Sequence, residues 1–159
     1  MRRRFLVAAL AALAAGCACR RPAYGPPPVS RNETPEGLYA YFRECIHSEE
    51  YGLAWWCLSH QGRGHMPQQE FEAGFQSFRA LRELITGSRV TAVNVGLSGE
   101  SASLEMENAE WGVKQVFQLV VETTGTKRYW QVDLTKSDLS RMARQAEDYM
   151  AGKRPGHEM

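Results

Sequence analysis

The chain has 159 residues and a formal net charge of +1, with acids and bases interspersed along its length. That balance leaves no basic stripe of the kind a nucleic acid requires, so no nucleic-acid partner is expected. Four cysteines are too few for a disulfide scaffold, and with a leader set aside about 140 residues remain, enough for one domain that buries close to 70% of its unfolded surface.

Arg2, Arg3 and Arg4 open the chain, Phe5 to Ala15 is an unbroken apolar run, and Ala14-Ala15-Gly16-Cys17 closes it with small residues before a cysteine. The run is far short of the roughly 20 residues a helix needs to cross a bilayer, so it reads as the apolar region of an export signal. The segment resembles the bacterial lipoprotein signal. The resemblance implies a signal peptide over residues 1–16 and a diacylglycerol thioether with an N-acyl chain, typically palmitate, on Cys17. Several acyl chains hold a protein durably on a membrane where one would be marginal. An ordinary signal peptide cut near Ala18 is the alternative. Arg2-Arg3-Arg4-Phe5-Leu6 also looks like part of a twin-arginine signal, but only Met1 precedes it and no cofactor motif follows. Ala18 is not the aspartate that retains enteric lipoproteins in the inner membrane, so the resemblance implies an outer-membrane anchor facing the periplasm.

From Arg20 to Asn32 the composition is dominated by proline, which favours extended polyproline geometry and has little to bury. Residues 17–33 are therefore expected as lipidated cysteine and tether. A domain over residues 34–151 follows. Thr34-Pro35-Glu36 is a helix start, with a hydroxyl cap, proline in the first turn and an acid at the positive end of the dipole. Leu38, Tyr41, Phe42, Cys45 and Ile46 recur at helical spacing behind it. Ser48 is expected to cap a second helix whose residues Tyr51 to Leu58 leave almost no polar face. Ser59 to His65 reads as a loop, and Pro67 opens a third helix in which Phe71, Phe75, Phe78, Leu81 and Ile85 keep one stripe up to Thr86.

The period changes at Arg89 from 3.6 to 2, and β-branched residues take over. Thr91, Val93, Val95 and Leu97 alternate in a first strand, and Ala102, Leu104 and Met106 in a second. Val113 to Thr123 is the longest strand, and Lys127 to Leu134 returns beside it as a hairpin. Asp138 is expected to cap a last helix, and 152–159 reads as a disordered tail.

This order, helices first and then about four antiparallel strands, predicts an α+β domain with its helices on one face of a curved sheet. Thr34-Pro35-Glu36-Gly37-Leu38, the Tyr51 to Leu58 helix, Glu70-Phe71 and the closing Tyr129-Trp130-Gln131-Val132 strand are similar to the NTF2-like superfamily, in particular its small exported lipoproteins. The resemblance covers most of residues 34–135; the C-terminal helix lies outside the superfamily's core pattern and is either an added element or the mark of a different α+β fold, such as a cystatin-like one. It implies a cone, a bent sheet wrapped around helices, often with a cavity at the open end and often dimeric. The superfamily includes isomerases, dehydratases and members that only bind, so fold alone does not settle function.

An enzyme on this scaffold would need an acid or base inside the cone. The strand positions that alternation turns inward are apolar (Val93, Val95, Leu104, Met106, Phe117, Leu119, Val121, Trp130, Val132 and Leu134), with Gln115 as their polar interruption, while Glu105 and Asp133 fall on the outer face. Catalytic residues are therefore not assigned. Cys57, His60 and His65, with His47, do not follow a recognised zinc spacing, and neither metal nor cofactor is expected. Cys45 and Cys57 are the candidate disulfide of an exported domain. Tyr39, Trp55, Phe71, Trp111, Gln115, Phe117 and Trp130 are the candidate pocket lining. The outer face of the hairpin, with Lys114, Val116, Gln118, Val120, Tyr129 and Gln131, suits self-association. The expected protein is a membrane-anchored envelope lipoprotein, non-catalytic, that binds a small apolar ligand or an envelope protein. A small isomerase or hydrolase, and a structural envelope component, are the alternatives.

Overall fold

The computed structural model describes residues 25–152. The expected export signal with Cys17 and the expected tail beyond Gly152 lie outside the described residues.

Helix α1 (Pro35–His47) begins where the sequence marks it: the Thr34 hydroxyl accepts a hydrogen bond from Gly37 N–H at 3.1 Å. Glycine is required there, since a Cβ on Gly37 would stand 2.9 Å from the Thr34 hydroxyl. Leu38, Tyr39, Phe42, Cys45 and Ile46 form its buried stripe. Ser48 closes this helix and does not open the next one. Helix α2 (Tyr51–Trp56) starts behind Glu49, whose φ of 59° turns the chain.

The expected loop at Ser59 is a short helix, α3 (His60–His65). The Ser59 hydroxyl accepts from Gly62 N–H at 3.0 Å, and this cap outweighs the glycines. The expected single third helix is two, α4 (Gln68–Ser77) and α5 (Arg79–Gly87), broken at Phe78. Arg82 stabilises the break by donating to the Phe75 carbonyl at 3.2 Å, one of the acceptors a helix end leaves free. The break lets α4 pack on α2 while α5 packs on α1 and the last helix.

The sheet is an antiparallel meander in the order β1 (Arg89–Val95), β2 (Ser101–Asn108), β3 (Val113–Thr124), β4 (Lys127–Asp133). A two-residue turn joins β3 to β4, with Gly125 at φ 62° in the position where such turns need glycine. The expected alternation holds through β2 and through β3 as far as Leu119, whereas Val121, expected inward, is only half-buried. Two further positions differ. A bulge between Val90 and Ala92 puts Val90 and Val93 on one face of β1, and Val95, the last residue of the strand, is 54% exposed. Gln131, expected on an open outer face, is 1% exposed.

The chain from Trp56 to Ser59 explains Gln131, because it straps the free edge of β4. Val132 N–H donates to Cys57 O and Ser59 N–H to Val132 O, both at 2.8 Å. In its satisfied orientation the Gln131 amide donates to the carbonyls of Trp56, Cys57 and Leu58. Further along, Trp130 N–H donates to Asn32 O at 2.9 Å, so the stretch before Thr34 lies against the domain, with Val29–Arg31 in a 3₁₀ turn.

The last helix, α6 (Lys136–Met150), is capped by Thr135, with Asp138 reaching back from its first turn in a capping box; Asp138 is a partner in the cap and not the cap itself. Leu139, Met142, Ala143 and Ala146 are buried, and Tyr149 stacks on Trp111 with ring centroids 4.9 Å apart. One hydrophobic cluster joins all the layers, with Phe117 against Tyr39 and Phe42 at its centre.

Candidate functional site

Strands β3 and β4 differ in length, and the difference makes a cleft. β4 pairs with β3 from Lys127 opposite Thr124 to Asp133 opposite Gln118, and there the chain turns away into α6. The first residues of β3, Val113 to Phe117, keep β2 on one side and have no strand on the other.

The phase of the ladder shows which backbone groups this strands. In an antiparallel pair successive residues point their N–H and C=O alternately to the two sides. Val121 N–H donates to Glu100 O at 2.8 Å on the β2 side. Odd-numbered residues of β3 therefore face β2, and even-numbered residues face β4: Gln118, Val120 and Glu122 lie opposite Asp133, Gln131 and Tyr129. Lys114 and Val116 point the same way and face no strand. Among the described residues no other group bonds to their N–H or C=O on that side.

The cleft along this edge has a volume of about 430 Å³, within the range of ligand sites. Lys114, Gln115, Val116, Phe117 and Gln118 form one wall. Their side chains alternate between the two faces of the sheet, so the cleft runs along the strand edge. Asp133 and Leu134 close its end, and Asp138, Arg141 and Met142 of α6 form the other wall.

Gln115 is the unusual residue of this cleft. It is 6% exposed, and neither its Nε2 nor its Oε1 has a hydrogen-bond partner in the protein. Val113 and Phe117 flank it on the same face and Met106 lies opposite on β2, while buried Asn108, diagonal to it on that face, has its Oδ1 taken by the Trp111 N–H. Leaving a buried amide unsatisfied costs about 1–3 kcal/mol, and such groups are rare enough to need a cause.

The carboxylates around the cleft are already engaged. Asp138 accepts from the Thr135 hydroxyl and backbone N–H and from Arg141. Burial pushes its carboxyl up, but those three bonds outweigh burial and hold it below the usual carboxylate value. Asp133 accepts from the Ser59 hydroxyl at 3.1 Å.

The other candidate lining residues are dispersed. Tyr39 is core, its hydroxyl donating to Ile85 O. Trp55 donates its indole N–H to Met66 O at 2.8 Å, and the Arg63 guanidinium lies over both Trp55 and Trp56. Trp111 is covered by Tyr149. Trp130 borders a shallow hollow with Glu33 and Arg128. Phe71 lines a second cleft of about 480 Å³ between α4, α5 and α6, apolar except for an ion pair of Lys136 with Glu70 and further charges at its rim. Only Gln115 and Phe117 share the cleft at the β3 edge. The stranded backbone of Lys114 and Val116 was missed in sequence, although the unequal lengths of the two hairpin strands hold the signal.

Cys45 and Cys57, expected as a bridge, are free thiols in the structure and both are buried. Burial pushes the Cys45 thiol up to about 11 and the Cys57 thiol well above its ordinary value. His60 and His65 are exposed at the two ends of α3, and among the described residues no group of three or more metal-ligating side chains converges. Nor, among the described residues, is any helix long and apolar enough to cross a membrane. Compared with known proteins, the chain matches no protein-family model and no curated protein.

Proposed function

We propose that this chain is a lipid-anchored envelope protein whose single domain binds a ligand without transforming it, and that the cleft at the β3 edge is its binding site. The observation that carries the reading is Gln115, a cleft residue with an amide that finds no partner at home. Its amide atoms are covered in this conformation. Rotating the side chain toward a ligand breaks no hydrogen bond, so a carboxamide or peptide group entering the cleft can be met at low cost. The neighbouring carboxylates support binding over catalysis: Asp138 is committed to the helix cap and held ionised, and Asp133 is bonded to Ser59. The resemblance to NTF2-like lipoproteins points the same way, as does the export signal, which assigns Cys17 to lipid.

N-methylacetamide, a minimal peptide group, is a direct probe. Titrated into ¹⁵N-labelled protein, it should shift the side-chain NH₂ resonances of Gln115 before those of exposed glutamines such as Gln76. Equal shifts at both would refute the site. For the anchor, a palmitate analogue should label the wild type and spare Cys17→Ser; equal labelling of both would refute it.

A further inference from the structure

The cleft presents main-chain chemistry as well as a side-chain amide. We propose that its ligand is an extended peptide segment, laid as an additional short strand against Lys114 and Val116 in the place that β4 vacates. This rests on the reading of the cleft as a binding site and gives that site a ligand class.

Two residues of stranded edge offer two N–H donors and two C=O acceptors, spaced two residues apart along the strand, or roughly 6.6 Å. A second strand carries this pattern by construction, whereas a compact small molecule does not, and strand addition to a free edge is a recurrent mode of peptide recognition. The adjacent side chains complete the fit. A peptide in this place turns alternate side chains to the inner face, where Phe117, Leu134 and Met142 offer an apolar seat, and Gln115 swings out to a peptide group of the ligand. Because Asp138 and Arg141 are bonded to each other at 3.1 Å, the α6 wall sets no strong demand on ligand charge.

The other edges of the sheet are handled differently. On β4, Trp130 and Val132 are bonded by Asn32, Cys57 and Ser59. β1 carries a bulge between Val90 and Ala92, a feature that blunts strand pairing. The Lys114 to Val116 edge has neither a strap nor a bulge, and it lines a cleft.

The test uses the full-length chain in detergent and the capped peptide acetyl-Thr-Val-Thr-Val-Thr-amide. Hydrogen exchange at Lys114 and Val116 should be fast without peptide and slow by tenfold or more with it, while Gln115 and Phe117, already bonded to β2, stay unchanged. N-methylation of the three threonines, or alternatively of the two valines, blocks one or the other side of the peptide strand. One of these two peptides should lose binding and the other keep it. Val116→Pro should abolish binding while the circular dichroism spectrum stays native, because proline is tolerated at an edge whose N–H faces away from the sheet. Equal binding of both methylated peptides, or no protection of Lys114 and Val116, would overturn the proposal. So would protection that rises with protein concentration alone, which would assign the edge to a second copy of this chain. If N-methylacetamide still shifts Gln115 under any of those results, the binding site stands and only its ligand class falls.

Discussion

Replacing Gln115 with leucine should stabilise the protein, which is the reverse of what most buried substitutions do. The side chain is 6% exposed, and both polar atoms of its amide lack a partner. Leucine has similar bulk and no polar atom, and its neighbours on the sheet face, Val113, Phe117 and Met106, are apolar. Removing an unsatisfied buried amide recovers about 1–3 kcal/mol. At roughly 3–5 °C per kcal/mol for a domain of this size, Tm should rise by several degrees. Chemical denaturation with an unchanged m-value would show that the gain is in stability and not in a different unfolded state. The same variant should lose its response to N-methylacetamide and bind the threonine-valine peptide more weakly. A fall in stability of about 1 kcal/mol or more would mean that the amide is satisfied in the folded protein, and the argument for the cleft would lose its foundation.

Acid should weaken the start of α6. The Asp138 carboxyl is held below its ordinary value, so its contribution is present above the unfolded carboxylate pKa, near 3.9, and is lost as pH falls through the lower folded value. Asp138→Asn should be less stable than wild type at neutral pH, with the gap closing in strong acid; a gap constant with pH would refute the assignment. Thr135→Ala should cost about 1 kcal/mol in denaturation through loss of the cap, and no change would refute the capping box. Cys45 and Cys57 should resist alkylation in the native protein and react fully after unfolding without reductant. A pair that stays unreactive until reduced would be a disulfide. Trp130→Ala should cost about 3–5 kcal/mol, read by thermal melting, because the ring is buried against the core.

Periodicity made much of this fold legible and also marks where legibility ends. The switch from 3.6 to 2 at Arg89 separated the helices from the sheet, and alternation put Leu104, Met106, Phe117 and Leu119 in the core, where they are. Alternation says which face a residue takes and not what covers that face. Gln131 was therefore misplaced, since the strap that buries it comes from residues 56–59, far away in sequence. The break at Phe78 has no proline or glycine at the break itself, and its stabilising bond comes from Arg82 in the following helix. α3 was hidden by its composition, because Gly62 and Gly64 outweigh a Ser59 cap in any local reading. Gln115 was visible as the polar member of an apolar face, but its isolation became apparent only when every neighbour was in place.

The costs in this molecule are not spread evenly, and their placement argues for function. Among the described residues three buried side-chain atoms lack a partner, and two of them are the ends of the Gln115 amide. The backbone groups of Lys114 and Val116 that no strand pairs, open to solvent and so without that cost, belong to the same short stretch of β3. A domain stable by some 5–15 kcal/mol can bear such a defect, but the simplest repair was close at hand. Extending β4 by a few residues would pair Val116 and Lys114. Instead the Thr135 and Asp138 capping box starts a helix immediately after the strand, and that helix crosses to Trp111 and becomes the far wall of the cleft. The element that denies β3 its partner is thus the one that encloses the space left behind. Local rules that agree with one another elsewhere in the chain are broken here at adjacent residues, which is the pattern expected of a binding site and not of loose packing.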